Sequence, residues 1–403
     1  MPKTCETLDE LAVENFREYL RIPTVQPDVN YDKCVAFLNR QAQSLNLEIN
    51  TYNIHPQKPI VIMTWKGTQP SKPSILLNSH MDVVPVFEDK WIYPPFSAHM
   101  DEKGDIYARG AQDMKSVGIQ YLEAIRRLKL KEQRFQRTIH ISFVPDEEIG
   151  SSYGMRDFVH TAEFKALNIG FELDEGMATP DESIYMSYGE KTTWHLEIKC
   201  AGNTGHGSIM LDNTAGEKLR VILDRFTDFR ASEKAKIKDC EPIAKALGKV
   251  TAVNLTKIWG GIQANVIPNE LNALFDIRVT PFADHDEFEA AIKHWCKEAG
   301  PNVTYSFVRK EPKVENTNLD DSNPFWIAFK NICDEINVNL EIGIALGGSD
   351  SRFVRQMGIP AFGFSPMNRT TIRLHDHNEY LNKDVFLKGI EIYTHIIPAI
   401  ANV

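Results

Sequence analysis

Short apolar runs alternate with amphipathic stretches over the first 190 residues of this 403-residue chain. Pro59–Trp65, Ser74–Asn78, Thr138–Val144 and Asn168–Leu173 have the length and the β-branched or aromatic content of strands. Between Asp113 and Leu128, the residues Val117, Tyr121, Leu122, Ile125 and Leu128 recur at helical spacing, and Leu8, Leu11, Phe16, Tyr19 and Leu20 mark an opening helix. Strands separated by helices predict βαβ units, hence an α/β fold with a mostly parallel sheet covered by helices.

The rhythm changes near residue 191. Trp194–Ala201, Thr251–Trp259, Leu271–Val279 and Asn302–Val308 read as strands. Leu219, Ile222, Phe226 and Phe229 form one helical stripe, and Phe288, Ile292 and Trp295 another. That order predicts a ferredoxin-like β-α-β-β-α-β domain inserted over 191–312. Afterwards the first rhythm returns. Asp321-Ser322-Asn323-Pro324 opens a helix, Gly343–Leu346 and Ile359–Phe364 are strand-like, and Val385–Ile397 closes the chain as a helix. The first domain is therefore expected to be discontinuous, 1–190 and 313–403.

Composition narrows the function classes. Lys+Arg 45 against Asp+Glu 55 gives a net charge of −10, which disfavours non-specific nucleic-acid binding. No stretch approaches the roughly 18 apolar residues of a membrane span. Met1–Leu20 is acidic and lacks the basic start and apolar core of a secretory leader. The cysteines, Cys5, Cys34, Cys200, Cys240, Cys296 and Cys333, have no CxxC spacing, so reduced thiols in a cytoplasmic protein are expected.

Candidate chemistry gathers where strands end. Ser79-His80-Met81-Asp82 closes one strand, Asp146-Glu147-Glu148 follows another, and Asp174-Glu175 a third. Asp113 sits where a helix begins, and His375 and His377 come late in the chain. Taken singly, Asp113 is an ordinary helix cap and the acids are ordinary solvated loop residues. Taken together, strand-end carboxylates converge on the crevice where open α/β sheets place ligands, and their mutual repulsion calls for a cation. Imidazole and carboxylate donors without thiolates suit a catalytic zinc or a similar divalent ion.

These stretches resemble a family of di-zinc amidohydrolases and exopeptidases, over essentially the whole chain. Ser79-His80-x-Asp82-Val83-Val84-Pro85 matches its first motif. Asp113-Met114-Lys115, with Asp146-Glu147-Glu148 after a helix and a strand, matches its second. Tyr107-Ala108-Arg109-Gly110-Ala111-Gln112-Asp113 and Gly363-Phe364-Ser365-Pro366-Met367-Asn368-Arg369 place it nearest the branch that hydrolyses N-acyl-L-amino acids.

The resemblance implies two Zn2+ per subunit. His80 and Glu175 would hold one, Glu148 and His375 the other, and Asp113 would bridge them. Asp82 would bond the far nitrogen of His80, Glu147 would be the general base, and a cis peptide would follow Asp113. It also implies that His206, in Gly205-His206-Gly207, stabilises the oxyanion, and that the inserted domain forms a homodimer through which this histidine reaches the partner subunit. Asn265 and Arg278 would bind the substrate carboxylate or oxyanion, and Arg352 the same carboxylate. A dipeptidase or a desuccinylase using the same metals is the sibling activity.

Two other readings are open. Gly150-Ser151-Ser152-Tyr153-Gly154 fits G-x-S-x-G, with Asp174 and His375 following in serine-hydrolase order, but Ser152 lies several residues beyond the strand end. A non-catalytic binding protein is disfavoured because every ligand position and Glu147 carry competent residue types.

Overall fold

The computed structural model describes residues 5–240 and 243–403. By contacts it divides into two compact units, one of residues 1–188, 317–342 and 349–403, the other of residues 189–316 and 343–348.

The first unit carries an eight-stranded mixed sheet. Its strand order is Glu48–His55, Lys58–Trp65, Ile139–Val144, Ser74–His80, Ile169–Asp174, Ala361–Phe364, Ile184–Glu190 and Leu340–Ala345. The four consecutive strands from Ile139–Val144 to Ala361–Phe364 run parallel, and antiparallel pairing begins on either side. Continuous apolar runs fit this position, because the central strands are covered on both faces. Ile75 and Leu77 enter one core with Phe16, Tyr121, Phe386 and Tyr393 from helices Cys5–Leu20, Lys115–Leu130 and Lys383–Ala401. Leu76 and Val144 enter the opposite core with Phe158, Phe353 and Val354. Among the described residues no helix is long and apolar enough to cross a membrane.

The second unit holds a four-stranded antiparallel sheet in the order Ala252–Gly260, Glu270–Val279, Thr192–Ala201 and Val303–Lys310. Helices Ala215–Ala235 and His285–Ala299 pack Leu219, Ile222, Phe226, Phe288 and Ile292 against Leu196, Ile198, Phe275 and Ile277. The first of these helices starts with a capping box, Thr214 and Glu217 satisfying each other's main-chain N–H groups. The boundaries differ from the sequence expectation, since 313–316 and 343–348 cluster here. The reason is local. Gly189 lies so close to Asn316 that a side chain at 189 would meet its Oδ1, and Lys191 N donates to Ala345 O at 3.0 Å. Cys34, Cys200, Cys240, Cys296 and Cys333 are free thiols, all but Cys240 buried, whereas the Cys5 side chain lies outside the described residues.

Candidate active site

Because Ser74–His80, Ile139–Val144 and Ile169–Asp174 are parallel, their C-terminal ends share one edge. His80 pairs in register with Val144, and Glu175 directly follows Asp174. The edge therefore receives His80, the Asp146–Glu148 turn and Glu175 together. Asp113 arrives at the entry to helix Lys115–Leu130, after which the Asp113–Met114 peptide is cis.

Asp113 is the meeting point. His80 Nε2 lies 2.9 Å from Asp113 Oδ1 and 3.5 Å from Glu175 Oε2. His375 Nε2 lies 3.3 Å from Asp113 Oδ2 and 3.1 Å from Glu148 Oε2. Two ligand triads result, His80–Asp113–Glu175 and Asp113–Glu148–His375, with the Asp113 carboxylate common to both.

The electrostatics describe a site built for cations. Burial, reinforced by repulsion from Asp113, raises the Glu148 carboxyl to about 7. Burial likewise drives Glu147 and Glu175 well above the ordinary carboxylate range, with Glu175 acting on Glu147 and Asp113 on Glu175. Hydrogen bonds to Asp113 and Glu148 raise His375 to about 10. Glu148 Oε1 is buried with no hydrogen-bond partner. An acceptor-only oxygen left so is costly unless a cation meets it. Carboxylates forced towards their protonated forms, two imidazoles and that oxygen fit a pair of divalent ions, and oxygen and nitrogen donors without sulfur fit zinc among them.

His80 Nδ1 is 2.9 Å from the main-chain carbonyl of Asp82, whereas the Asp82 carboxylate is 3.6 Å away, beyond a good hydrogen bond. The carbonyl therefore fixes the His80 tautomer with Nδ1 as donor. The carboxylate holds the Asp146–Glu148 turn, accepting from Glu147 N at 3.2 Å, Glu148 N at 3.1 Å and Gln26 Nε2 at 2.7 Å.

Sequence reasoning missed the support beneath that turn. Asp146 adopts a left-handed conformation, φ 63°, which redirects the chain after the strand. Its carboxylate is locked by Lys58 Nζ at 2.7 Å, Tyr31 OH at 2.8 Å and Gln26 Nε2 at 2.9 Å. Gln26 and Tyr31 lie in a segment with no strand or helix period, so only the third dimension reveals them.

The remaining predicted residues fall elsewhere. His206 is exposed in the second unit, where the strand pair Gly205–His206 and Val266–Ile267 brings it beside Asn265. Ser208 N donates to His206 Nδ1 at 3.2 Å, which leaves Nε2–H as the outward donor. Arg278 is half-buried and spans Asp276 with two bonds, 2.7 and 3.1 Å, while donating to Thr193 Oγ1 at 2.9 Å. Arg352 lies on helix Ser351–Gln356. It is 2% exposed, its guanidinium beside the Phe353 ring. Ser152 lies on the loop after the turn, not at a strand-to-helix elbow, and His375 is engaged with Asp113 and Glu148.

Residues 76–399 match the peptidase family M20/M25/M40. The chain is 48% identical over 392 residues to Aminoacylase-1 of Mus musculus, covering 97% of this chain and 96% of the relative. It is 44% identical over 397 residues to Aminoacylase-1 of Dictyostelium discoideum, covering 96% and 97%. Among solved structures, an M20 metallo-carboxypeptidase from Sulfolobus solfataricus superposes with a TM-score of 0.75 at 19% identity, covering 97% of this chain and 99% of that one. A dinuclear metal-binding M20 peptidase from Bacillus subtilis gives 0.69 at 16%, covering 98% and 99%. With a family match over residues 76–399 and strand-end donors gathered in two candidate metal-holding triads, the chain belongs to peptidase family M20/M25/M40.

Proposed function

We infer that this protein is a metal-dependent amidohydrolase that cleaves N-acyl-L-amino acids to a carboxylate and a free L-amino acid. The observation that carries the reading is the pair of ligand triads sharing Asp113, in a chain 44–48% identical to aminoacylases over nearly its whole length.

His80 and Glu175 would hold one zinc, Glu148 and His375 the other, and Asp113 both. Such ions supply Lewis acidity towards the scissile carbonyl and lower the pKa of a shared water towards 7. Glu147 projects from the same short turn as Glu148, so one acid can face a cation while its neighbour faces the reacting water. Its carboxylate takes the water's proton and returns it to the departing nitrogen, and burial raises its proton affinity above that of an exposed carboxylate. Asp82 keeps both glutamates aimed by holding their main-chain N–H groups. His206 Nε2–H donates to the developing oxyanion, and Asn265 and Arg278 recognise the oxyanion or the substrate carboxylate, Arg278 by sharing its guanidinium with Asp276.

The protein acts as a cytoplasmic homodimer in this reading. The edge strand Ala252–Gly260 exposes Leu255, Ile258 and Trp259, an apolar margin of the kind that pairs with a second copy. His206 would then serve the substrate of the partner subunit. A panel of N-acetyl and longer N-acyl amino acids, N-succinyl amino acids and dipeptides, assayed on zinc-loaded protein for released amine, tests the reading. Turnover should be greatest on N-acyl amino acids; turnover on dipeptides alone would replace this substrate class with a peptidase one.

A further inference from the structure

The two triads are built from segments far apart in the chain, and nothing in their own ligand geometry explains why Asp113 and His375 meet. The segment carrying Asp113 has no regular secondary structure before helix Lys115–Leu130, and the segment carrying His375 is an irregular loop. One fully buried carboxylate joins them. Glu379, four residues after His375, accepts from Gln112 N at 2.6 Å and Asp113 N at 3.2 Å through Oε1. Through Oε2 it accepts from Arg109 Nη1 at 2.8 Å and Gly110 N at 3.1 Å.

Further bonds join the same two segments. Glu379 O accepts from Ala108 N at 3.1 Å. The Gln112 amide donates to Thr371 O at 3.0 Å and Tyr380 O at 2.8 Å, and its oxygen accepts from Arg373 N at 3.0 Å.

We propose that Glu379 is a positioning residue for the dinuclear site, holding the main chain of Asp113 and the His375 loop at one spacing so that the shared carboxylate can face both imidazoles. The proposal rests on the metal reading above. Glu379 touches no ligand side chain; it acts by fixing where the Asp113 main chain sits. Without its two oxygens, three main-chain N–H groups and a guanidinium would be buried with no acceptor. The gap between Asp113 and His375 would then be free to widen. Metal ligands supported this way ordinarily lose 10–100-fold in metal affinity when the support is removed.

The test compares the full-length protein with Glu379→Gln and with Glu123→Gln. Glu123 is an equally buried acid paired with Arg126 at 2.9 Å and Asn15 at 2.8 Å, on the helix after Asp113. Each protein is titrated with Co2+ against a chelator, its visible cobalt spectrum is recorded, and its melting temperature is measured. Glu379→Gln should bind cobalt 10–100-fold more weakly and show an altered spectrum. Glu123→Gln should lose melting temperature with wild-type affinity and spectrum.

If Glu379→Gln lowers only the melting temperature, its role is structural and the proposal fails. Should that variant not fold, Arg109→Met with Glu379→Gln removes the unpaired guanidinium and carries the same readout. Wild-type protein that takes up no divalent ion would overturn the metal reading itself. A two-cobalt wild type with an unaltered variant would overturn only the role of Glu379.

Discussion

Asp82→Asn separates two accounts of how the site is held. The substitution leaves the main-chain carbonyl that bonds His80 Nδ1 at 2.9 Å in place. It removes the charge that accepts Glu147 N and Glu148 N. Asparagine retains one acceptor oxygen and turns the other atom into a donor facing an N–H group. Reversing Gln26 to compensate would forfeit its bond to Asp146 Oδ1. At least one charge-assisted bond is lost, worth about 1.5–3 kcal/mol. Expressed as misplacement of the Glu147–Glu148 turn, about 2 kcal/mol corresponds to roughly a 30-fold loss in kcat. The assay is kcat at saturating zinc and substrate, so that metal occupancy is not limiting, with a melting curve to establish folding. A kcat within threefold of wild type, in folded metal-saturated protein, would refute the assignment of the Asp82 carboxylate to this turn.

Glu147→Gln should retain two metals by elemental analysis yet lose about 10²–10⁴ in kcat; undiminished turnover would remove Glu147 as the base. Mixing Glu147→Gln with His206→Ala protein should restore activity through heterodimers, and no recovery after demonstrated subunit exchange would defeat the intersubunit role of His206. His140 is buried beside Thr64 Oγ1 at 3.0 Å, and burial lowers it to about 4. Its folded pKa lies below the unfolded value near 6.5, so the unfolded chain binds the extra proton between these values. Stability contributed by neutral His140 is thus full above pH 6.5 and is lost as pH falls towards 4, by about 3 kcal/mol in all. His140→Gln should flatten that part of the melting-temperature profile; an unchanged slope would show that other groups cause it.

The parallel core was legible because its strands are apolar almost throughout, and the acids that follow them stand out against those runs. Glu48–His55 was not, since this edge strand is half-exposed and polar, Glu-Ile-Asn-Thr-Tyr-Asn-Ile-His. The sheet of His99–Met100, Asp105–Tyr107 and Tyr380–Asn382 is built of strands too short to show a period. The five proposed metal-ligand positions could be named from the resemblance, but the supports between them could not. Asp82 follows His80 by two residues, and spacing alone does not decide whether carbonyl or carboxylate reaches the imidazole; the turn after the strand does. Glu379 stood in a legible acidic and imidazole run, yet its partners lie in the segment 109–113, and the topology that joins them is set by the sheet.

The central claim is that Asp113 lies between two cations. Anomalous diffraction from crystals of zinc-loaded protein tests it directly. Two peaks are expected, one beside His80 and Glu175, the other beside Glu148 and His375, with the Asp113 carboxylate touching both. A single peak, or two peaks with Asp113 turned away from one of them, would contradict the account.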